Sequence, residues 1–381
     1  MLLCATVTLP VGLPTAASAD DGAARVRGDQ WHLRYLRVAE AQRISQGAGV
    51  TVAVPDTGVA PHPDLALNLL PGRDFLSGAD DGRHDADSHG TSMAGLIAAH
   101  GRGLDLGAMG VAPKAKLLPI LCSPPHGRGD PDALARGIEY AVGQQVGVVS
   151  ISSGGGSSPR LKQAITSAIK ADIVVVAAAG NRPEDLMVSY PASEPGVIAV
   201  GGVDRSGNHA AVSVTGSEID IAAPAVDIVS TSIDGKYSKG TGTSSATAIV
   251  AGAAALIRSR YPKLSAEEVA HRLTATAVDK GPPGRDDQYG YGVIDLVAAL
   301  TADVPPWGAG TASDPPAAPI TSAAGGPATT AVADPPGGKG GDGGATVRGL
   351  ATLGVLVAAG GGWALVRRRR RADDPPPRIS R

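Results

Sequence analysis

The sequence predicts an α/β fold with a mostly parallel central sheet flanked by helices. Short apolar runs alternate with helix-period segments between residues 31 and 303, the runs are rich in β-branched residues, and polar residues gather where the runs end. Near-continuous apolar strands belong to sheets covered on both faces. Ligands of such sheets bind beyond the carboxyl ends of the strands.

In chain order, candidate strands cover 50–55, 116–121, 146–151, 173–178 and 197–203, and candidate helices cover 90–100, 132–144, 160–170, 243–258 and 265–276. The last helix opens with Ser265 and Glu268, the spacing of a capping box. The run 245–257 reads as a buried helix of small side chains. Hydrophobic residues make up 43% of the chain but aromatics only 3%, so the core must be built from Ala, Val, Ile and Leu.

The two ends carry other signals. Residues 1–19 are apolar and close on Ala17-Ser18-Ala19, which predicts a secretory signal peptide lacking the usual basic start. Residues 20–30 form an N-terminal extension, 31–303 the folded domain, and 304–348 a Pro-, Gly- and Ala-rich linker. Residues 349–366 are uncharged and apolar; 18 residues at about 1.5 Å each are just long enough to cross a bilayer core. A transmembrane helix is expected there. The arginines at 367–371 place the tail 367–381 in the cytoplasm and the folded domain outside the cell membrane.

Charge and cysteine content exclude several classes. A net charge of −2 offers no field for nucleic acid. Of two cysteines, Cys4 lies in the signal segment and Cys122 has no mate, so no disulfide framework is expected. Neither Cys122 nor His126 has the companions of a metal site, and Asp80, Asp81, Asp85 and Asp87 read as a solvated acidic loop. No metal and no cofactor are expected.

Four short stretches carry chemistry. Asp56-Thr57-Gly58 follows the first strand, His89-Gly90-Thr91 opens a helix, Gly180-Asn181 ends a strand, and Gly242-Thr243-Ser244 precedes the helix of small residues. Each alone is an ordinary turn or cap. Together Asp, His, Asn and Ser supply a nucleophile, a base, an orienting carboxylate and an amide donor, a complete acyl-transfer set.

These four motifs, in this order, resemble the signature motifs of subtilases, over roughly residues 31–300. The resemblance implies a subtilisin-like three-layer fold and serine endopeptidase activity on polypeptide substrates. It implies Ser244 as nucleophile, His89 as general base, Asp56 as the residue orienting His89, and Asn181 as oxyanion donor. It also implies that the segment containing Ser150, Ser152, Ser153 and Gly154 binds substrate by strand addition. Two residues depart from the family pattern: Pro55 before Asp56, where proline is unwelcome in a central strand, and Ala248 in place of a helix proline.

A narrower resemblance is to mycosins, the membrane-anchored subtilases of type VII secretion systems. Gln30-Trp31-His32-Leu33, the closing segment Tyr289-Gly290-Tyr291-Gly292-Val293-Ile294-Asp295, the linker, the single span and the basic tail carry it. It implies the secretion membrane complex as a partner. Two other functions stay open at this level: a catalytically silent scaffold in such a complex, and a general surface protease.

Overall fold

The structure, a computed structural model, describes residues 22–307 apart from 80, 104, 127 and 128. The expected signal peptide, most of the linker, the span at 349–366 and the basic tail lie outside the described residues. No helix among the described residues is long and apolar enough to cross a membrane.

β-Branched side chains favour extended backbone, and they are concentrated in the central strands, at 51–56, 148–151 and 174–178. β1 (Thr51–Asp56), β2 (Arg73–Asp74), β3 (Lys116–Leu121), β4 (Val148–Ile151), β5 (Val174–Ala178), β6 (Ile198–Val203) and β7 (Ile221–Pro224) form one sheet. Its order is β2-β3-β1-β4-β5-β6-β7, and every pairing is parallel. Side chains alternate between faces. Val52, Val54, Val148, Val174 and Val176 join one core, with α4 (His89–Ala98) and α7 (Thr243–Arg260) on that side. Ala53, Val149, Val175 and Ala177 join a second core, roofed by α5 (Pro131–Gly143) and α6 (Pro159–Lys170). The result is three layers, with the sheet buried on both faces as its composition requires.

The strand order reverses at β1, which has β3 on one side and β4 on the other. Such a reversal opens a crevice at the carboxyl ends of the strands. Asp56 ends β1 there, and Ser152 follows the end of β4. A short antiparallel pair, β8 (Ile228–Thr231) with β9 (Tyr237–Gly240), leads into α7. It is tied to α4 by Ser230 Oγ, which donates to the Ser92 carbonyl, and Thr231 Oγ1, which donates to the Thr91 carbonyl, both at 2.7 Å.

The N-terminal segment packs as α1 (Ala23–Asp29), α2 (Trp31–Tyr35) and α3 (Val38–Ile44). Buried Gln30 clamps it down: Nε2 donates to the carbonyls of Met109 and Val229, and Oε1 accepts from Met109 N. Trp31 Nε1 donates to the Val226 carbonyl at 3.1 Å. Three further pieces lie outside the elements expected from the sequence: β2, β7 and α9 (Leu296–Thr301). By contrast α8 (Ala266–Ala275) opens with the capping box expected from Ser265 and Glu268.

Candidate active site

Asp56 is placed by the sheet. β1 stays in register with β3 through Pro55↔Ile120 and Asp56↔Leu121, and the Asp56 carbonyl accepts from Cys122 N at 2.9 Å. Pairing with β4 stops at Ala53↔Val149, before the proline. Pro55 therefore costs the sheet little and leaves Asp56 at the strand end. The Asp56 side chain is 1% exposed. Its Oδ1 accepts from Thr57 N at 2.7 Å and lies 2.8 Å from His89 Nδ1, while Oδ2 has no partner among the described residues.

His89 opens α4. The turn 56–58 and the helix meet so closely that a Cβ on Gly90 would lie 2.0 Å from the Gly58 carbonyl oxygen. Glycine is the only residue that permits this approach. The buried Asp56 carboxylate favours the imidazolium and raises the His89 pKa to about 9, against desolvation; Asp87 and Asp85 add to the effect. With Nδ1–H donated to Asp56, Nε2 of the neutral ring is left as a proton acceptor.

Ser244 is the second residue of α7, so its N–H is one of the donors a helix start leaves without an intrahelical partner. Its hydroxyl donates to the Ser152 carbonyl at 2.8 Å. Asn181 follows β5, its backbone N–H held by Asp185 Oδ2 at 2.9 Å. Asn181 Oδ1 accepts from Thr243 N at 2.9 Å and from Thr243 Oγ1 at 3.2 Å. Because the amide is planar, fixing Oδ1 fixes Nδ2. His89, Asn181 and Ser244 line one cleft of about 330 Å³ together with Ser92, Met93 and Ser245. A base, a hydroxyl, an amide donor and a helix N-terminus thus face the same space, which suits addition to a carbonyl carbon.

The subtilase family model matches residues 47–292. Subtilisin DY of Bacillus licheniformis is 42% identical over 261 residues, 67% of this chain and 92% of its own length. Among solved structures, MycP1 with its N-terminal propeptide removed superposes with a TM-score of 0.66 at 34% identity, covering 72% of this chain and 98% of that one. The MycP3 protease from the type VII (ESX-3) secretion system gives 0.63 at 34% identity, covering 72% and 88%.

The chain belongs to the subtilase family.

It is a subtilisin-like serine endopeptidase in fold and relationship, with close structural similarity to mycosins. Not every residue expected at the subtilase site reaches the cleft. Ser150 lies within β4 opposite Val176, is fully buried, and has a hydroxyl with no partner. Alternation puts Ser150 on the same face as Val148 and Ser152, toward α7, but one pleat deeper, where it is covered. Ser152 is 3% exposed and meets Ser244 through both its carbonyl and its hydroxyl. Ser153 and Gly154 are half-buried at the strand's outer end.

Three residues of this subtilase site were not picked out by sequence: Thr243, which holds Asn181, and Thr57 and Asp85, which join the first two motifs. Thr57 and Thr243 lie inside the motifs and signal no separate role. Asp85 overturns the solvated-loop expectation for its own position, being 6% exposed. Asp81 keeps it, paired with exposed Arg83. Among the described residues no group of three or more His, Cys, Asp or Glu is placed to hold a metal ion. Cys122 is buried and unpaired, and burial pushes its thiol pKa up, as suits a packed side chain.

Proposed function

We propose that the chain is a membrane-anchored, extracytoplasmic endopeptidase that works with Asp56, His89 and Ser244 as its triad and serves a type VII secretion complex. The 2.8 Å approach of Asp56 Oδ1 to His89 Nδ1, in one cleft with Ser244 and Asn181, carries this reading. Rotation of the Ser244 side chain moves Oγ from the Ser152 carbonyl to His89 Nε2. Oγ then bonds to the scissile carbonyl carbon as its proton passes to Nε2. The oxyanion takes hydrogen bonds from Asn181 Nδ2 and Ser244 N. His89 returns the proton to the leaving amine, the C–N bond breaks, and water repeats the sequence on the acyl-enzyme.

The segment that follows β4, Ser152, Ser153 and Gly154, receives the extended peptide on the acyl side. Support for the secretion role comes from the mycosin neighbours, whose names place them in type VII secretion systems, and from the apolar span followed by five arginines. The test is labelling with a fluorophosphonate probe, with Ser244→Ala as control. Labelling of the native chain alone is expected; a folded native chain that stays unlabelled sinks the triad and favours a silent scaffold. Co-purification with secretion-channel subunits separates the secretion role from a general surface protease.

A further inference from the structure

The acidic run before His89 contains a carboxylate that belongs neither to the triad nor to the surface. Asp85 Oδ1 accepts from Thr57 Oγ1, Asp87 N and Ser88 N, each at 2.9 Å. Its Oδ2 accepts from Thr91 N at 2.9 Å and Thr91 Oγ1 at 2.6 Å. Two of these partners pass the connection on. Thr57 Oγ1 accepts from Gly90 N at 3.0 Å, and Thr91 Oγ1 accepts from Ala60 N at 2.9 Å.

Five donors from three pieces of chain therefore converge on one side chain: the turn after β1, the loop 85–88, and the first turn of α4. Asp56 is bonded in sequence to Thr57, and His89 sits between Ser88 and Gly90. Both members of the pair are flanked by residues that Asp85 holds, directly or through Thr57. Only an ionised carboxylate accepts on every side; an asparagine would turn its NH2 toward either the Thr57 or the Thr91 donors.

We propose that Asp85 is a positioning residue that fixes the separation and angle of Asp56 and His89. It touches neither substrate nor the reacting atoms, and acts by locking the strand-end turn to the start of α4. The proposal rests on the triad reading above for its catalytic consequence, but not for its geometric one.

The experiment compares the full native chain with Asp85→Asn, Thr57→Val, Thr57→Ser and Ser244→Ala. Each is measured by thermal melting, by peptide hydrolysis, and by the low-field proton resonance of the His89 Nδ1–H. For Asp85→Asn, kcat is expected to fall about 10- to 100-fold while KM stays within about twofold. Thr57→Val falls in the same sense, and Thr57→Ser, which keeps the hydroxyl link, recovers most of the loss.

The low-field resonance should persist in Ser244→Ala and shift or broaden away in Asp85→Asn. A folded Asp85→Asn protein with native kcat and an unchanged resonance overturns the proposal. So does a loss of activity confined to KM. A native chain without hydrolytic activity, but with a resonance that Asp85→Asn abolishes, removes the triad function and leaves the positioning role standing.

Discussion

Asn181 has two ends, and the structure uses one to aim the other. Its Oδ1 is taken by Thr243, so the amide of this cleft-lining residue cannot flip without losing both hydrogen bonds. A donor held in advance needs no reorganisation as charge builds on the substrate oxygen, which is why such a group acts on the transition state more than on binding. Asn181→Ala is accordingly expected to lower kcat by about 10²–10³-fold with KM little changed. Steady-state hydrolysis of a peptide substrate checks this, and a rise in KM at constant kcat would mean that Asn181 only binds. The identity of Asn181 was legible from Gly180-Asn181 after an apolar strand. Its orientation was not, since that depends on a threonine 62 positions away in the chain.

At the level of elements, a second buried carboxylate shows how loops are fixed to the scaffold. Asp64 is fully buried; Arg102 Nε donates to its Oδ1 at 2.8 Å, and Ala108 N and Tyr237 OH donate to its Oδ2 at 2.6 and 2.8 Å. Three segments meet there: the chain around Asp64, the stretch that carries Arg102 and Ala108, and β9 through Tyr237. Removing one partner of a buried ion pair leaves a charge uncompensated, which costs about 3–5 kcal/mol.

Arg102→Ala should therefore lower unfolding stability by roughly that amount. The check is urea denaturation in a Ser244→Ala background, where self-digestion is absent; a change under about 0.5 kcal/mol would show the pair to be dispensable. Elements with strong periodic or all-apolar patterns were legible in sequence: β1, β3, β4, β5, β6 and the long helices fall within two residues of their expected bounds. The hairpin β8–β9, β2 and β7 were not: β2 (Arg-Asp) and β9 (Tyr-Ser-Lys-Gly) carry no apolar run, β8 has no partner without β9, and β7 ends in proline.

Over the whole molecule two histidines pull stability in opposite directions with pH. His32 is fully buried with neither ring nitrogen hydrogen-bonded, and desolvation lowers its pKa to about 3. The unfolded chain protonates it near 6.5, so stability falls as pH drops below about 6.5, by about 1.4 kcal/mol per unit at most. His89 is the reverse case. The Asp56 carboxylate raises it to about 9, so its contribution is complete below about 6.5 and is lost as pH rises through 9.

Together they place the melting temperature of Ser244→Ala at a maximum near pH 6.5, declining on both sides. Proton acceptance by His89 requires its neutral form, so kcat/KM of the native chain should keep climbing above pH 7 toward about 9. Coincident optima for melting and hydrolysis would contradict this assignment.

The sequence by itself determined the fold class and pointed to His89, Asn181 and Ser244, which line one cleft, and to Asp56, which lies against His89. Apolar patterning dictates which residues must be buried on two faces, and the four motifs fall where such a sheet ends. Tertiary structure alone decided that Asp85 of the acidic loop is buried, that β1 parts from β4 before Pro55, that Ser150 is buried, and that Thr243 binds Asn181 while Asp85 binds the residues flanking Asp56 and His89. Those outcomes depend on strand register and on contacts between segments far apart in the chain. Local pattern specifies burial, whereas the partner of a buried polar group is set only when distant segments meet.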